Sequence, residues 1–169
     1  MADFQRILDS AVSKDPSFWL LTDSIPLLSE ARGKIVLLRR YEDDVGLGER
    51  AGIPLLWPNQ NGYADTTKNI EMTDQGSYRL WVQDRYEYDT EAKWAAFTAG
   101  LLEKSVQKED VAIHFLSTKG TFVYGHPYAF ARKLTPMLLS LPQSGISGWV
   151  ITDFGSAPLA AHIYQANFS

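Results

Sequence analysis

Apolar residues recur at helical spacing near the start of the chain. Phe4, Ile7, Leu8, Ala11 and Val12 share one face of a helix over 3–13. Asp15-Pro16 closes that helix, because the residue before a proline is pushed out of the helical region. After a loop containing Pro26, Lys34 to Arg40 reads as a strand whose apolar run ends in two arginines. Tyr41 to Gly76 is polar and broken by Gly46, Gly48, Gly52, Pro54, Pro58 and Gly62. So long a connection inside a compact domain is generally functional or flexible. Tyr78 to Tyr86 reads as a second strand, rich in aromatic residues. Asp89 or Thr90 caps the helix that follows, with Trp94, Phe97, Leu101 and Leu102 as its apolar stripe. A third strand covers Val111 to Ser117, and a helix from Pro127 to Leu141 is expected to bend or divide at Pro136. A fourth strand, Gly148 to Phe154, leads to a last helix over Ala157 to Ala166.

Repeated strand-then-helix units imply parallel strands with helices packed outside. Two architectures satisfy that order, an open doubly wound sheet and part of a (β/α)8 barrel. The open sheet places a phosphate-cradling glycine loop after its first strand. Here the first strand runs instead into Arg39-Arg40-Tyr41-Glu42-Asp43-Asp44. Polar residues gather at the carboxyl ends of several strands, where a barrel builds its site. The expected fold class is therefore α/β, with about four parallel strands and outer helices making half of such a barrel.

Composition narrows the function. At 169 residues with 45% hydrophobic content, the chain is long enough for one sizeable core, and nothing in the sequence marks a second domain. A net charge of −4 argues against a nucleic-acid partner, which requires a basic face. The absence of cysteine removes disulfides, thiolate nucleophiles and cysteine-based metal sites. His114, His126 and His162 are too far apart to form a metal-ligand pattern, so neither a metal nor another cofactor is expected. The segment Met1 to Arg6 lacks a basic region followed by an apolar run, and no run approaches bilayer length. Neither a secretory signal nor a membrane span is expected, so the chain is expected to be soluble and to stay where it is made.

Strand alternation selects the candidate site. Neighbouring strand residues point to opposite faces, so only one of Arg39 and Arg40 can face inward. If Arg40 does, it stands above Leu38 and Val36. Asp84 and Tyr86 share parity with Leu80 and Val82, and Asp153 shares parity with Trp149 and Ile151. Arg40, Asp84, Tyr86 and Asp153 can thus converge on one mouth, offering a donor fork, acceptors and an aromatic plate. That set suits a hydroxylated ring bearing phosphate. Asp84 can also be read as a solvated strand end, Asp153 as a cap for the last helix region, and Tyr86 as rim packing.

The remaining candidates carry less. His114 lies between Ile113 and Phe115 and reads as a core or interface histidine. His126 precedes Pro127 in a loop, and His162 sits within the last helix. Ser117 lacks the Gly-x-Ser-x-Gly turn of a nucleophile elbow, so no Ser-His-Asp triad is supported. Trp57-Pro58 and Tyr63 put aromatic rings in the long loop, where they could meet a lipid surface, cover the mouth or simply pack.

Four segments appear in a telling order: Ala31-Arg32-Gly33-Lys34-Ile35-Val36-Leu37-Leu38-Arg39-Arg40-Tyr41, Trp57-Pro58, Val82-Gln83-Asp84-Arg85-Tyr86, and Gly148-Trp149-Val150-Ile151-Thr152-Asp153-Phe154. Together they resemble the carboxyl-terminal half of the bacterial-type phosphatidylinositol-specific phospholipase C, which also occurs in fungi. The first segment is fairly specific, and the order adds weight to the others. The resemblance implies a distorted (β/α)8 barrel that cleaves the phosphodiester of phosphatidylinositol through a cyclic inositol phosphate. By the same resemblance Arg40, Asp84 and Tyr86 match positions that hold the inositol ring. Asp153 matches a carboxylate that orients the catalytic base histidine.

The family's acid–base histidine pair and its phosphate-stabilising arginine lie on early strands, in the half that has no counterpart here. The resemblance therefore implies a chain with the substrate-holding side of the site and without its acid–base side, inactive by itself. It also implies a phosphatidylinositol or inositol phosphate headgroup as ligand, and contact with a membrane surface. The expected partner is a second copy or the missing amino-terminal half, since a half barrel leaves strand edges open. The alternatives are a non-catalytic module that binds inositol phosphate or another polyol phosphate, and a truncated fragment.

Overall fold

The computed structural model describes residues 2–40, 52–60, 70–103, 106–107, 109–120 and 125–169. The chain divides into two compact units, Met1–Leu56 and Trp57–Ser169.

The first unit is assembled from short pieces. Helix α1 (Ala2–Lys14) is followed by strand β1 (Trp19–Leu20), helix α2 (Leu28–Ala31), β2 (Ile35–Val36), β3 (Leu38–Arg39) and β4 (Ile53–Pro54). β1 pairs in parallel with β2, and β3 with β4. The expected strand from Lys34 to Arg40 is thus interrupted at Leu37, and its two parts have different partners. Gly52 shows why β4 can come so close to the break. Its φ is +93°, and a Cβ there would stand 2.8 Å from the Leu37 carbonyl oxygen. Phe4 and Ile7 of the amphipathic α1 are exposed.

The second unit holds a four-stranded sheet in the order β5-β6-β7-β8, formed by β5 (Glu71–Asp74), β6 (Arg79–Gln83), β7 (Val111–Phe115) and β8 (Trp149–Ile151). β6, β7 and β8 are parallel. β5 is antiparallel to β6, pairing Glu71 with Val82 and Asp74 with Arg79. This corrects the expectation of four parallel strands, and it puts a strand within the long connection from Tyr41 to Gly76. The physical reason is a tight hairpin: Gly76, at φ +88°, donates its N–H to the Asp74 carboxylate at 2.8 Å, so a polar stretch becomes a strand.

The parallel strands alternate with α3 (Thr90–Leu101), α4 (Pro127–Ser140) and α5 (Ala157–Gln165). Asp89 caps α3 by accepting the Ala92 N–H at 2.8 Å, Ser156 caps α5, and His126 caps α4 through Nδ1. α4 runs undivided through Pro136. That proline lies on the exposed side, while Phe130, Leu134 and Leu138 fix the opposite side in the core. The core gathers Phe97, Leu116, Phe130, Leu134, Leu138, Ile146 and Leu159. Burying each large side chain contributes about 1.5–3 kcal/mol. Together these contacts hold the helices against one face of the sheet and leave the carboxyl ends of β6, β7 and β8 side by side.

The buried stripe of α3 is Lys93, Ala96, Phe97 and Gly100. Leu102, expected on that stripe, is exposed. Gly148 allows β8 to start against β7: its φ is +72° and a Cβ would stand 2.6 Å from the Ala112 carbonyl oxygen. Among the described residues no helix is long and apolar enough to cross a membrane.

Candidate functional site

Parallel strands bring their carboxyl ends to one edge, and three of the four sequence-predicted residues lie at that edge. Asp84 follows β6 directly and is buried. Its Oδ2 accepts the indole N–H of Trp57 at 3.0 Å, and the Trp57 ring lies 5.9 Å from that of Phe115 on β7. Two residues on, the Tyr86 hydroxyl donates to Oδ1 of Asn59 at 2.5 Å. Asp153 follows β8 and is exposed, and its Oδ2 accepts the Thr118 N–H at 3.0 Å. The loop aromatic Trp57 is therefore a partner of the site carboxylate.

Thr118, just after β7, joins the three strand ends. Its N–H holds Asp153, and its hydroxyl donates to the Tyr86 carbonyl at 2.7 Å. Lys119 adds a cation at the rim. Its Nζ lies 5.5 Å from the centre of the Tyr86 ring and pairs with Glu87, whose hydrogen bond raises the lysine's proton affinity.

The main chain from Val82 to Tyr86 is braced by side chains where the strand ladder ends. The fully buried Gln60 donates its amide to the Val82 carbonyl at 3.1 Å and accepts the Asp84 N–H at 2.9 Å. The Gln83 amide, with its nitrogen turned toward Phe115, donates to the Phe115 carbonyl at 2.8 Å and accepts the Arg85 N–H at 3.2 Å. Lys93 Nζ donates to the Arg85 carbonyl at 2.7 Å. Buried backbone groups must find partners, and here side chains supply them beyond the end of the sheet. The placement of Asp84 and Tyr86 on a fixed backbone follows.

Lys93 is fully buried. Burial pushes its ammonium down to about 7, while the negative charges of Asp84 and then Asp153 oppose that fall. Sequence reading missed both this lysine and Gln60. A signal for Lys93 was present: it lies three and four residues before Ala96 and Phe97, on the stripe that packs inward.

The arginine pair belongs to the first unit. The structure buries Arg39 and exposes Arg40. Alternation counted from Val36 expects Arg40 inward, but the break at Leu37 interrupts that count. Tyr63 lies outside the described residues. Each of the three histidines has a place of its own. His114 is buried against Phe97 and Gly100 of α3, His126 caps α4, and His162 is half-buried on α5. Among the described residues no group of three or more His, Cys, Asp or Glu side chains is placed to hold a metal ion.

Comparison with known proteins places this arrangement among relatives. The chain is 25% identical over 152 residues to the 1-phosphatidylinositol phosphodiesterase of Staphylococcus aureus strain Newman, covering 81% of this chain and 45% of that protein. A second S. aureus strain, NCTC 8325, has a phosphodiesterase of the same name and the same 25% identity, 42% of which is covered. The chain spans about half the length of the curated relatives it matches. No family model matches it. Among solved structures, one phosphatidylinositol-specific phospholipase C of S. aureus superposes with a TM-score of 0.67 at 21% identity, over 96% of this chain and 58% of that one. Another gives 0.63 at 23% identity, over 90% and 54%. The chain resembles the bacterial phosphatidylinositol-specific phospholipases C, and the part it covers shares their barrel-type fold.

Proposed function

We propose that this chain supplies the headgroup-holding side of a phosphatidylinositol-specific phospholipase C-like site. In this reading Asp84 and Tyr86 hold the hydroxyls and ring of an inositol phosphate, Arg40 adds a guanidinium, and Asp153 orients a catalytic histidine contributed from outside these 169 residues. The observation that carries it is the cluster at the carboxyl ends of β6, β7 and β8, tied through Thr118, in a chain similar to 1-phosphatidylinositol phosphodiesterases. A buried carboxylate with an aromatic ledge and a phenol two residues on suits a polyhydroxylated ring.

The chemistry proposed for the assembled site is phosphodiester cleavage in lipid metabolism, with a base taking the inositol 2-hydroxyl proton and an acid protonating the leaving alcohol. All three histidines of this chain have other placements, which favours a chain that binds the headgroup and does not turn it over alone. Missing acid–base groups cost about 10²–10⁴-fold. The complement that adds acid–base groups is an amino-terminal barrel half; a second copy would cover open strand edges and bring only the same three histidines.

Hydrolysis of phosphatidylinositol vesicles by the purified chain, with a size-exclusion profile of the same sample, tests the reading. No turnover together with inositol 1-phosphate binding supports it. Turnover that is lost in Arg40→Ala places acid–base groups within this chain and overturns the inactivity. Absence of both binding and turnover overturns the headgroup assignment.

A further inference from the structure

The segment that carries Asp84 and Tyr86 has left the sheet, and side chains hold its backbone. Most of that bracing comes from neutral amides and a hydroxyl: Gln60 on the Asp84 N–H, Gln83 on the Arg85 N–H, and Thr118 on the Tyr86 carbonyl. Lys93 differs in bringing a charge. Its Nζ reaches the Arg85 carbonyl, between the two candidate ligand residues, from the first turn of α3, and none of its surface is exposed. An ammonium is costly to bury, and a methionine at this position would pack without that cost. Its position therefore calls for a role in which the charge is used.

The charge faces the site. The carboxylates acting on Lys93 are Asp84, at the end of β6, and Asp153, at the end of β8. On its own helix, Asp89 is occupied in capping the Ala92 N–H, and Glu91 is exposed. Arg85, whose carbonyl it holds, has a buried side chain.

We propose that Lys93 is a positioning residue of the headgroup site: from beneath the mouth its ammonium pins the Arg85 carbonyl with a charge-assisted hydrogen bond, so that Asp84 and Tyr86 on either side are held as they are. This rests on the headgroup reading for its function and on the structure for its geometry. Because burial brings the ammonium to about 7, the charge is present below that pH and is lost above it. Headgroup affinity follows the same course, weakening as pH rises through about 7.

The chain has no cysteine, which permits a direct rescue. Lys93→Cys lowers affinity for inositol 1-phosphate by about tenfold, the scale of one charge-assisted hydrogen bond. Alkylating the lone thiol with 2-bromoethylamine in denaturant, followed by refolding, rebuilds a lysine-like ammonium with sulfur in place of one methylene. Affinity returns below pH 7, and its fall moves to a lower pH than in wild type because the thioether sulfur weakens the amine as a base, with wild type taken through the same cycle as control. Unchanged affinity in folded Lys93→Cys overturns the proposal. A second measurement needs neither variant nor ligand. In wild type, the amide resonances of Asp84, Arg85, Tyr86 and Thr118 follow the titration of the Lys93 ε-carbon, and amides indifferent to that titration overturn the proposal. If wild type does not bind inositol 1-phosphate, the headgroup reading falls, and the amide titration still decides what Lys93 does.

Discussion

A buried histidine, His114, should make this fold sensitive to acid. The imidazole lies on β7 with 1% of its surface exposed, 6.3 Å from the Phe97 ring, and a Cβ on Gly100 would stand 3.0 Å from its Nδ1. Neither ring nitrogen has a hydrogen-bond partner among the described residues. With nothing to stabilise an imidazolium, burial pushes its pKa from 6.5 down to about 4. In the unfolded chain the ring titrates near 6.5. Above that pH both states are neutral and the group contributes no pH dependence. As pH falls from about 6.5 to about 4, the unfolded state takes up a proton that the folded state refuses, so stability drops by about 1.4 kcal/mol per pH unit. The full loss is about 3 kcal/mol, a large part of the stability of a small domain.

Urea unfolding followed by tryptophan fluorescence, at several pH values across that window, measures the loss. Carboxylates titrate in the same range, so the informative quantity is the difference between wild type and His114→Leu. Leucine removes the titration and two unpaired polar nitrogens while keeping an apolar contact to Phe97. The variant should lose about 3 kcal/mol less than wild type on acidification and be no less stable near neutrality. Equal losses in the two proteins would refute the burial argument.

Three further outcomes follow from the packing and hydrogen bonds of the second unit. Leu138→Ala, at a fully buried position of the helix-side core, should cost about 2–5 kcal/mol in the same unfolding assay. Asp110→Ala should cost at least about 1.5–3 kcal/mol, because its carboxylate accepts a two-pronged bond from Arg79 at 2.9 and 2.8 Å, the Trp81 indole N–H at 2.7 Å and the Gln107 N–H. The change should also alter Trp81 fluorescence. Thr118→Val should lower stability by about 1 kcal/mol and weaken inositol 1-phosphate binding by calorimetry, since the hydroxyl that holds the Tyr86 carbonyl is gone.

Much of the second unit was legible in the sequence, because its elements obey simple periods. Val111 to Leu116 is a short run, apolar but for His114, between Asp110 and Ser117, and the cap at Asp89 marks the start of α3 within a residue. Alternation above Leu80 and Val82 picked out Asp84 and Tyr86, and the uninterrupted β6 explains why their place just beyond the strand end could be read from the sequence. The same count was less secure at Arg39 and Arg40, where Leu37 separates two-residue strands with different partners. β5 was missed because Glu71 to Asp74 carries little apolar signal, and its pairing comes from the hairpin and from β6. Gln60 and Lys93 were missed for another reason. They bind main-chain atoms, and such contacts leave no periodic mark in a sequence. Lys93 left only an indirect one, a charge on the inward stripe of a helix.

The ends of β6, β7 and β8 are proposed to hold an inositol phosphate headgroup. Titration calorimetry of the full chain with inositol 1-phosphate, in wild type and in Asp84→Asn, tests it most directly. The substitution keeps an acceptor for the Trp57 indole and removes the charge, so the fold is retained while headgroup affinity falls by about tenfold or more. Binding in wild type that weakens in the variant is the predicted result. No binding in wild type, or equal binding in both, would overturn the headgroup assignment.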